Sequence, residues 1–473
     1  MSFCSQDYFF FFTAVFLAHW MLPWARARVY LLLAASMAFY ARWNHWLVLV
    51  ICASTTLDYL LARAIERGRS ERIRRSLVAV SVVSNVALLS FFKYANFFLN
   101  SLEQALVRTG AHTSFPVLRV ILPIGISFYT FEAISYVVDV YRGRCHAERN
   151  LANLLLFILF FPHLVSGPIV RGRHFLPQIH RPRAWNWARV NLGLQLIAVG
   201  LFKKLALADR LAFFVDPVFA DPGAYRTSAI WLGVLSYSMQ IYCDFSGYTD
   251  IALGSAHLLG YTLPQNFAQP YFSPNISQFW RRWNMTLSAW LRDYLYIPLG
   301  GSRGSAAATA RNLLVTMGLG GLWHGARWTF VAWGMLHGAL LVVHHGWRAR
   351  RPREPWTSNA ASTARAVTAC VVTFAAVSSA WVLFRSTDVA TAATTWWRML
   401  VPHPGLGPTV ATGFVWVSVA ILIAEHAARR VRRFRLASVS LPPQVVGAGS
   451  ALLALLALLL SANTSRAFIY FQF

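Results

Sequence analysis

Residues 313–337 read LLVTMGLGGLWHGARWTFVAWGMLH, and Arg327 is the one Lys, Arg, Asp or Glu among them. The stretch lies in an apolar segment over 311–345 that is longer than the roughly 20 residues needed to cross a bilayer's hydrocarbon core. Its polar exception is His324, set between Trp323 and Gly325. A histidine in apolar company suits either a structural hydrogen bond or chemistry, and the pattern alone leaves both open. His337 follows on the same stretch. At about 100° per residue it falls on another face of a continuous helix, so the two imidazoles are not expected to form one ligand pair.

The rest of the chain has the same character. Of 473 residues 57% are apolar and 13% charged, against about 45–50% and roughly 25% in soluble domains. Further candidate spans lie near 8–22, 28–42, 46–63, 77–99, 117–140, 151–170, 190–208, 227–260, 364–385, 412–427 and 446–462. The fold expected is an all-α polytopic integral membrane protein of about 10–12 membrane helices. The first span is read as a membrane helix, not a cleaved signal, because nothing basic precedes Phe9 and no small-residue cleavage site follows before Pro23. No internal repeat or soluble domain is visible. The basic, Pro- and Ser-containing stretch 348–363 is the best linker.

The net charge is +26, from 43 Lys and Arg against 17 Asp and Glu. The basic residues cluster between apolar runs, at 63–75, 171–183 and 429–435, without a nucleic-acid-binding motif. They read as cytoplasmic loops facing anionic headgroups, and nucleic acid is not an expected partner. Alternation of basic and neutral loops puts the N-terminus outside. Beyond residue 160 the alternation blurs, which suits re-entrant segments covered by protein or water. Cys4, Cys52, Cys145, Cys243 and Cys370 form no CxxC pair, so neither a disulfide framework nor a metal site is expected.

Four other places put polar residues in apolar surroundings. In LPIGISFYTFEAISYVVDVYR at 122–142, Glu132 and Asp139 are two helical turns apart on one face. A structural pair capped by Arg142 is favoured over a direct role. In FPHLVSGPIVR at 161–171, Pro162, Gly167 and Pro168 break any helix, and His163 reads as a hydrogen-bonded core residue in preference to a ligand. In QIYCDFSGYTD at 240–250, Asp244 and Asp250 suit either a proton relay or, preferably, hydrogen-bonded scaffolding. In FWRRWNMTLSAWLRDYLYIPLGG at 279–301, an amphipathic interfacial helix is expected, with Asn284, Ser288 and Arg292 as a polar stripe.

Together, NISQFWRRWNMTLSAWLRDYLYIPLGG and GLGGLWHGARWTFVAWGMLHG resemble the membrane-bound O-acyltransferase family, and within it the bacterial alginate O-acetylation branch. FFKYANFF at 91–98 and the polar stretches above extend the likeness over residues 1–345 in order. The resemblance implies one membrane acyltransferase domain over 1–473, with a family-like core at 1–345 and membrane helices at 346–473. It also implies re-entrant segments around a central funnel or tunnel in a bacterial inner membrane. It implies that His324, in the WHG motif, is catalytic. The RRWxxxLSxWLRDY motif implies a second polar position, often histidine in bacterial relatives, which here is Asn284.

Acyl transfer fits these residues. A hydroxyl is a weak nucleophile until a base takes its proton, and His324 is the expected base. Asn284 is expected to donate its amide hydrogens to the carbonyl oxygen of an acyl thioester. Arg281, Arg282 and Arg292 are expected to attract an anionic donor such as acetyl-CoA, with Trp323 and Trp328 walling the acyl path. No bound cofactor is expected. The resemblance implies a polysaccharide acceptor such as alginate and a periplasmic acetyltransferase partner. D-alanyl transfer to a cell-wall polymer needs the same residues. A transporter or flippase, with membrane carboxylates at Glu132, Asp139, Asp244 and Asp250, is the alternative of another class.

Overall fold

A computed structural model describes residues 3–43, 45–110, 114–118, 121–165, 167–350, 360–408, 412–430, 442–461 and 468–469. The described residues are helical, and no strand occurs among them beyond one isolated bridge between Tyr225 and Leu406. Among the described residues four helices are long and apolar enough to cross a membrane: His45–Arg67, Glu71–Arg108, Trp187–Ala220 and Thr363–Arg385. The protein is an all-α polytopic membrane protein. Most of the 348–363 linker and the 429–435 basic cluster lie outside the described residues.

The chain forms two compact units. One comprises Met1–Ile197 with Ala252–Pro264, the other Ala198–Ile251 with Gln265–Phe473.

In the first unit, α1 (Gln6–Met21), α2 (Ala25–Ala41) and α3 (His45–Arg67) precede α4 (Glu71–Leu89), which continues through a wide turn at Ser90–Tyr94 into α5 (Ala95–Arg108). The span expected at 117–140 begins only at Ile126, as α6 (Ile126–Tyr141), because Pro123 and a left-handed Gly125 precede it. The span expected at 151–170 is cut short. Helix α7 (Leu151–Leu159) ends ahead of Pro162, and one further turn, α8 (Phe161–Leu164), follows before the chain leaves helical geometry. A short α9 (Gly172–Ile179) leads on to α10 (Trp187–Leu201).

Glu132 accepts from the Val170 N–H at 2.8 Å and lies 3.3 Å from His163 Nδ1, while His163 Nε2 lies 3.1 Å from the Phe157 carbonyl. His163 is thus a fastened core residue. Asp139 pairs with Arg144 at 3.7 Å, which the turn at Gly143 after the helix end at Tyr141 brings back.

In the second unit, a wide turn at Phe202–Ala208 joins α11 (Asp209–Ala220), and the 32-residue α12 (Thr227–Leu258) belongs to it up to Ile251. Two short helices follow, α13 (Ile276–Trp280) and α14 (Met285–Leu291). Then come α15 (Ala306–His324), α16 (Trp328–Ala349), α17 (Ala360–Arg385), α18 (Val389–Leu400), α19 (Thr412–Arg430) and α20 (Pro443–Leu459).

The 311–345 segment is therefore two helices packed along each other, not one. Glycine makes the close approach possible. A Cβ on Gly321 would fall on the Phe330 carbonyl oxygen, and one on Gly334 on the Met317 carbonyl oxygen. Small residues at facing positions are how membrane helices bring their backbones together without a hydrophobic driving force.

Candidate active site

His324 is the last residue of α15, and Gly325 takes the chain out of the helix in an extended conformation (φ −165°, ψ 154°). The imidazole is buried, at 4% exposure. Aromatic rings enclose it. Ring centroids lie 5.0 Å away at Trp323, 5.1 Å at Trp333 of α16 and 5.2 Å at Phe384 of α17. The last two meet it edge-on, with interplanar angles of 88° and 72°.

His337 returns to this cluster, 4.8 Å from Trp333 and 5.1 Å from Trp280. Both imidazoles thus contact the Trp333 indole. The two histidines lie on separate helices, α15 and α16, so the rotation of one continuous helix does not relate them.

A chain of ring contacts links the His324 cluster to Trp283, the residue before Asn284. Trp333 stacks on Trp381 at 5.6 Å, and Trp381 lies 5.0 Å from Trp283, the residue before Asn284. The expected amphipathic helix over 279–301 is broken at this point. Helix α13 ends at Trp280, Asn284 adopts a left-handed conformation (φ 40°, ψ 58°), and α14 starts after it. Asparagine is one of the few side-chain-bearing residues that visits this region readily. The break takes Asn284 off the predicted stripe and buries it at 1% exposure. Its Nδ2 has no hydrogen-bond partner among the described residues.

Asn266, which sequence reasoning missed, fastens the turn. Its carbonyl accepts from Met285 N at 2.9 Å, and its Oδ1 accepts from the Thr286 hydroxyl at 2.7 Å. An asparagine in the polar loop ahead of α13 carried no periodic signal that could have marked it.

The other expected residues divide. Trp323 is buried against His324. Trp328 is 56% exposed at the start of α16. The wall is built by Trp333, Trp381 and Phe384, none of which was singled out from sequence. Arg281 is exposed, Arg282 donates to the Phe272 carbonyl at 2.9 Å, and Arg292 pairs with its neighbour Asp293 at 2.8 Å. Arg282 thus holds a backbone segment in place, while Arg281 and Arg292 remain at the surface.

A buried charge network stands in the same unit. Lys203 lies 3.0 Å from Asp250 and 2.8 Å from Glu425, and Lys204 lies 2.7 Å from Asp209 and 2.6 Å from Asp244. Asp244 also accepts from the Ile469 N–H at 2.7 Å. From sequence Asp244 and Asp250 are preferred as scaffolding, and here each meets a buried lysine. The two lysines inside an apolar run were the available signal for it.

Among the described residues no group of three or more His, Cys, Asp or Glu side chains is placed to hold a metal ion. The buried polar side chains here are an imidazole and an amide, and the wall around His324 is apolar. The sequence profile of the membrane-bound O-acyltransferase family matches residues 146–384, which include Asn284, His324, Trp333 and Phe384. The chain belongs to this family.

Its relatives within the family agree. A probable alginate O-acetylase of Azotobacter vinelandii is 42% identical over 403 residues, covering 84% of this chain and 77% of that protein. A peptidoglycan O-acetyltransferase of Helicobacter pylori is 36% identical over 387 residues, covering 76% and 71%. A teichoic acid D-alanyltransferase of Bacillus subtilis is 28% identical over 263 residues, covering 53% and 65%. The chain is an O-acyltransferase of the membrane-bound family, with its likeness on the alginate O-acetylation side.

Proposed function

We propose that this enzyme moves acetyl groups from a cytoplasmic acyl thioester, such as acetyl-CoA, toward hydroxyls of an exopolysaccharide such as alginate. In this reading it works in the bacterial inner membrane with a periplasmic acetyltransferase as partner. The observation that carries the reading is His324, buried at the end of α15 inside a wall of Trp323, Trp333 and Phe384. Such a wall excludes water, which would otherwise compete for the acyl group.

His324 takes the proton of the attacking hydroxyl as its oxygen bonds to the thioester carbonyl carbon. The carbonyl oxygen gains negative charge, and the Asn284 amide donates to it. When the C–S bond breaks, the leaving thiolate takes the proton from His324. The buried donor at Asn284 Nδ2, which has no acceptor among the described residues, supports this role.

The carboxylates that motivated a transporter alternative are each held by a partner: Glu132 beside His163, Asp139 beside Arg144, Asp244 beside Lys204 and Asp250 beside Lys203. Fixed pairs suit scaffolding better than a moving relay. The test is His324→Ala in cells making the polymer, with O-acetyl content measured by NMR. Acetylation is expected to fall to background while protein levels stay normal. Unchanged acetylation at normal levels would remove His324 from the mechanism. D-alanine in place of acetate on the product would turn the reading to the D-alanyl branch.

A further inference from the structure

Some of the basic residues of this chain are met by carboxylates. Arg42 pairs with Asp7, Arg74 and Arg75 with Glu71, Arg149 with Glu66, and Arg385 with Asp216. One group in the first unit is different. Arg28, at the start of α2, donates through Nη1 to the Arg183 carbonyl at 2.8 Å and through Nε to the Leu22 carbonyl at 2.7 Å. Arg183 donates to the Gln178 carbonyl, and Arg189 to the Gly260 carbonyl. Arg181, exposed, lies in the same loop as Arg183. Among the described residues none of these four arginines has a carboxylate within ion-pair distance. Backbone carbonyls and rings hold them instead: the Arg28 guanidinium lies 5.1 Å over Trp20 and that of Arg183 4.7 Å over Tyr261. Burial, and then the charges of Arg189 and Arg181, hold the Arg183 guanidinium below its ordinary value. The group is thus anchored and self-repelling.

Tryptophans stand beside it. Trp20 donates to the Leu258 carbonyl at 3.0 Å and lies 5.1 Å from Trp185, which lies 5.1 Å from Trp187. Trp187 is 73% exposed. Exposed indoles at helix ends mark the headgroup level of a bilayer. At that depth the anion in greatest supply is a lipid phosphate, and each nearby arginine attracts anionic lipid by about 1 kcal/mol, or roughly fivefold in affinity. We propose that Arg28, Arg181, Arg183 and Arg189, with Trp20, Trp185 and Trp187, form a binding site for the headgroup of one anionic phospholipid. The occupant is a lipid and not the acyl donor, because the indoles supply an apolar surface alongside the charge at a membrane-facing helix end.

The test uses the full-length protein purified in neutral detergent. Native mass spectrometry would count phosphatidylglycerol and phosphatidylcholine molecules retained as collision energy rises. One phosphatidylglycerol is expected to persist on the wild type where phosphatidylcholine is lost. Arg181→Gln with Arg189→Gln should lower its retention roughly 25-fold by the same per-charge figure. Arg69→Gln with Arg72→Gln removes two exposed charges elsewhere and should leave retention unchanged. Among the described residues Arg181 donates no hydrogen bond, so Arg181→Gln alone, expected to cost about fivefold, keeps the test valid if the double variant unfolds. Equal retention of the two lipids, no loss in Arg181→Gln, or an equal loss in the Arg69/Arg72 variant would each overturn the site. Displacement of phosphatidylglycerol by millimolar acetyl-CoA but not by inorganic phosphate would overturn the lipid assignment in favour of the donor.

Discussion

Asn284 carries two features that a single substitution can separate. Its backbone is left-handed, which costs most side-chain-bearing residues roughly 1–2 kcal/mol. Its amide is buried without a partner for Nδ2 among the described residues. Asn284→Gly keeps the backbone freedom and deletes the amide. That variant is expected to melt within a few degrees of the wild type while kcat falls by roughly 10²–10³, the loss typical of one carbonyl-polarising donor. Asn284→Ala deletes both and should also lose about 1–2 kcal/mol of stability. Near wild-type turnover in Asn284→Gly would assign Asn284 a purely conformational role. Asn284 could be picked out by its motif, whereas its φ could not: the polar stripe every four residues predicted a continuous helix, and the energetic preference of one residue for the left-handed region broke it.

At the scale of elements, the site depends on how closely α15 and α16 approach. Gly321 lies three residues before His324, and a Cβ there would fall on the Phe330 backbone. Gly346, near the end of α16, has nothing within 4 Å of its Cβ direction. The same substitution should therefore have opposite signs at the two positions. Gly346→Ala is expected to stabilise by up to about 1 kcal/mol through helix propensity. Gly321→Ala is expected to destabilise by about 1–3 kcal/mol through overpacking, and to lower turnover by moving His324. Thermal unfolding in detergent measures both, and equal shifts of one sign would refute the close-packing account. The existence of most apolar helices was legible in composition. Where they end was less so. The spans expected at 117–140, 151–170 and 311–345 start late, stop early and divide, respectively, because Pro123 with Gly125, Pro162, and Gly325 interrupt the helical path. Apolar content sums over a window and does not register a single backbone break.

At the scale of the molecule, the second unit joins the family core to the C-terminal helices through buried charge. The family match ends at residue 384, yet Glu425 of α19 reaches Lys203, and the Ile469 N–H reaches Asp244. From sequence the C-terminal third was only apolar and spanning, since no local pattern shows which lysine a distant glutamate will meet. Lys204 holds Asp209 and Asp244 at once, and all three are buried. Removing one member of a buried ion pair costs about 3–5 kcal/mol, because the remaining charge has lost its compensation, whereas removing the whole group is often neutral. Lys204→Met should therefore destabilise strongly. Lys204→Met combined with Asp209→Asn and Asp244→Asn should recover most of the loss, measured by thermal unfolding in the same detergent. A triple variant no more stable than Lys204→Met would show that packing or the Ile469 contact, not charge compensation, dominates there. The same variants separate scaffold from transport. If the network only holds the second unit together, the stable triple variant still acetylates the polymer. A triple variant that is stable yet makes unacetylated polymer would assign these charges a part in moving protons or substrate, and would return weight to the transporter reading.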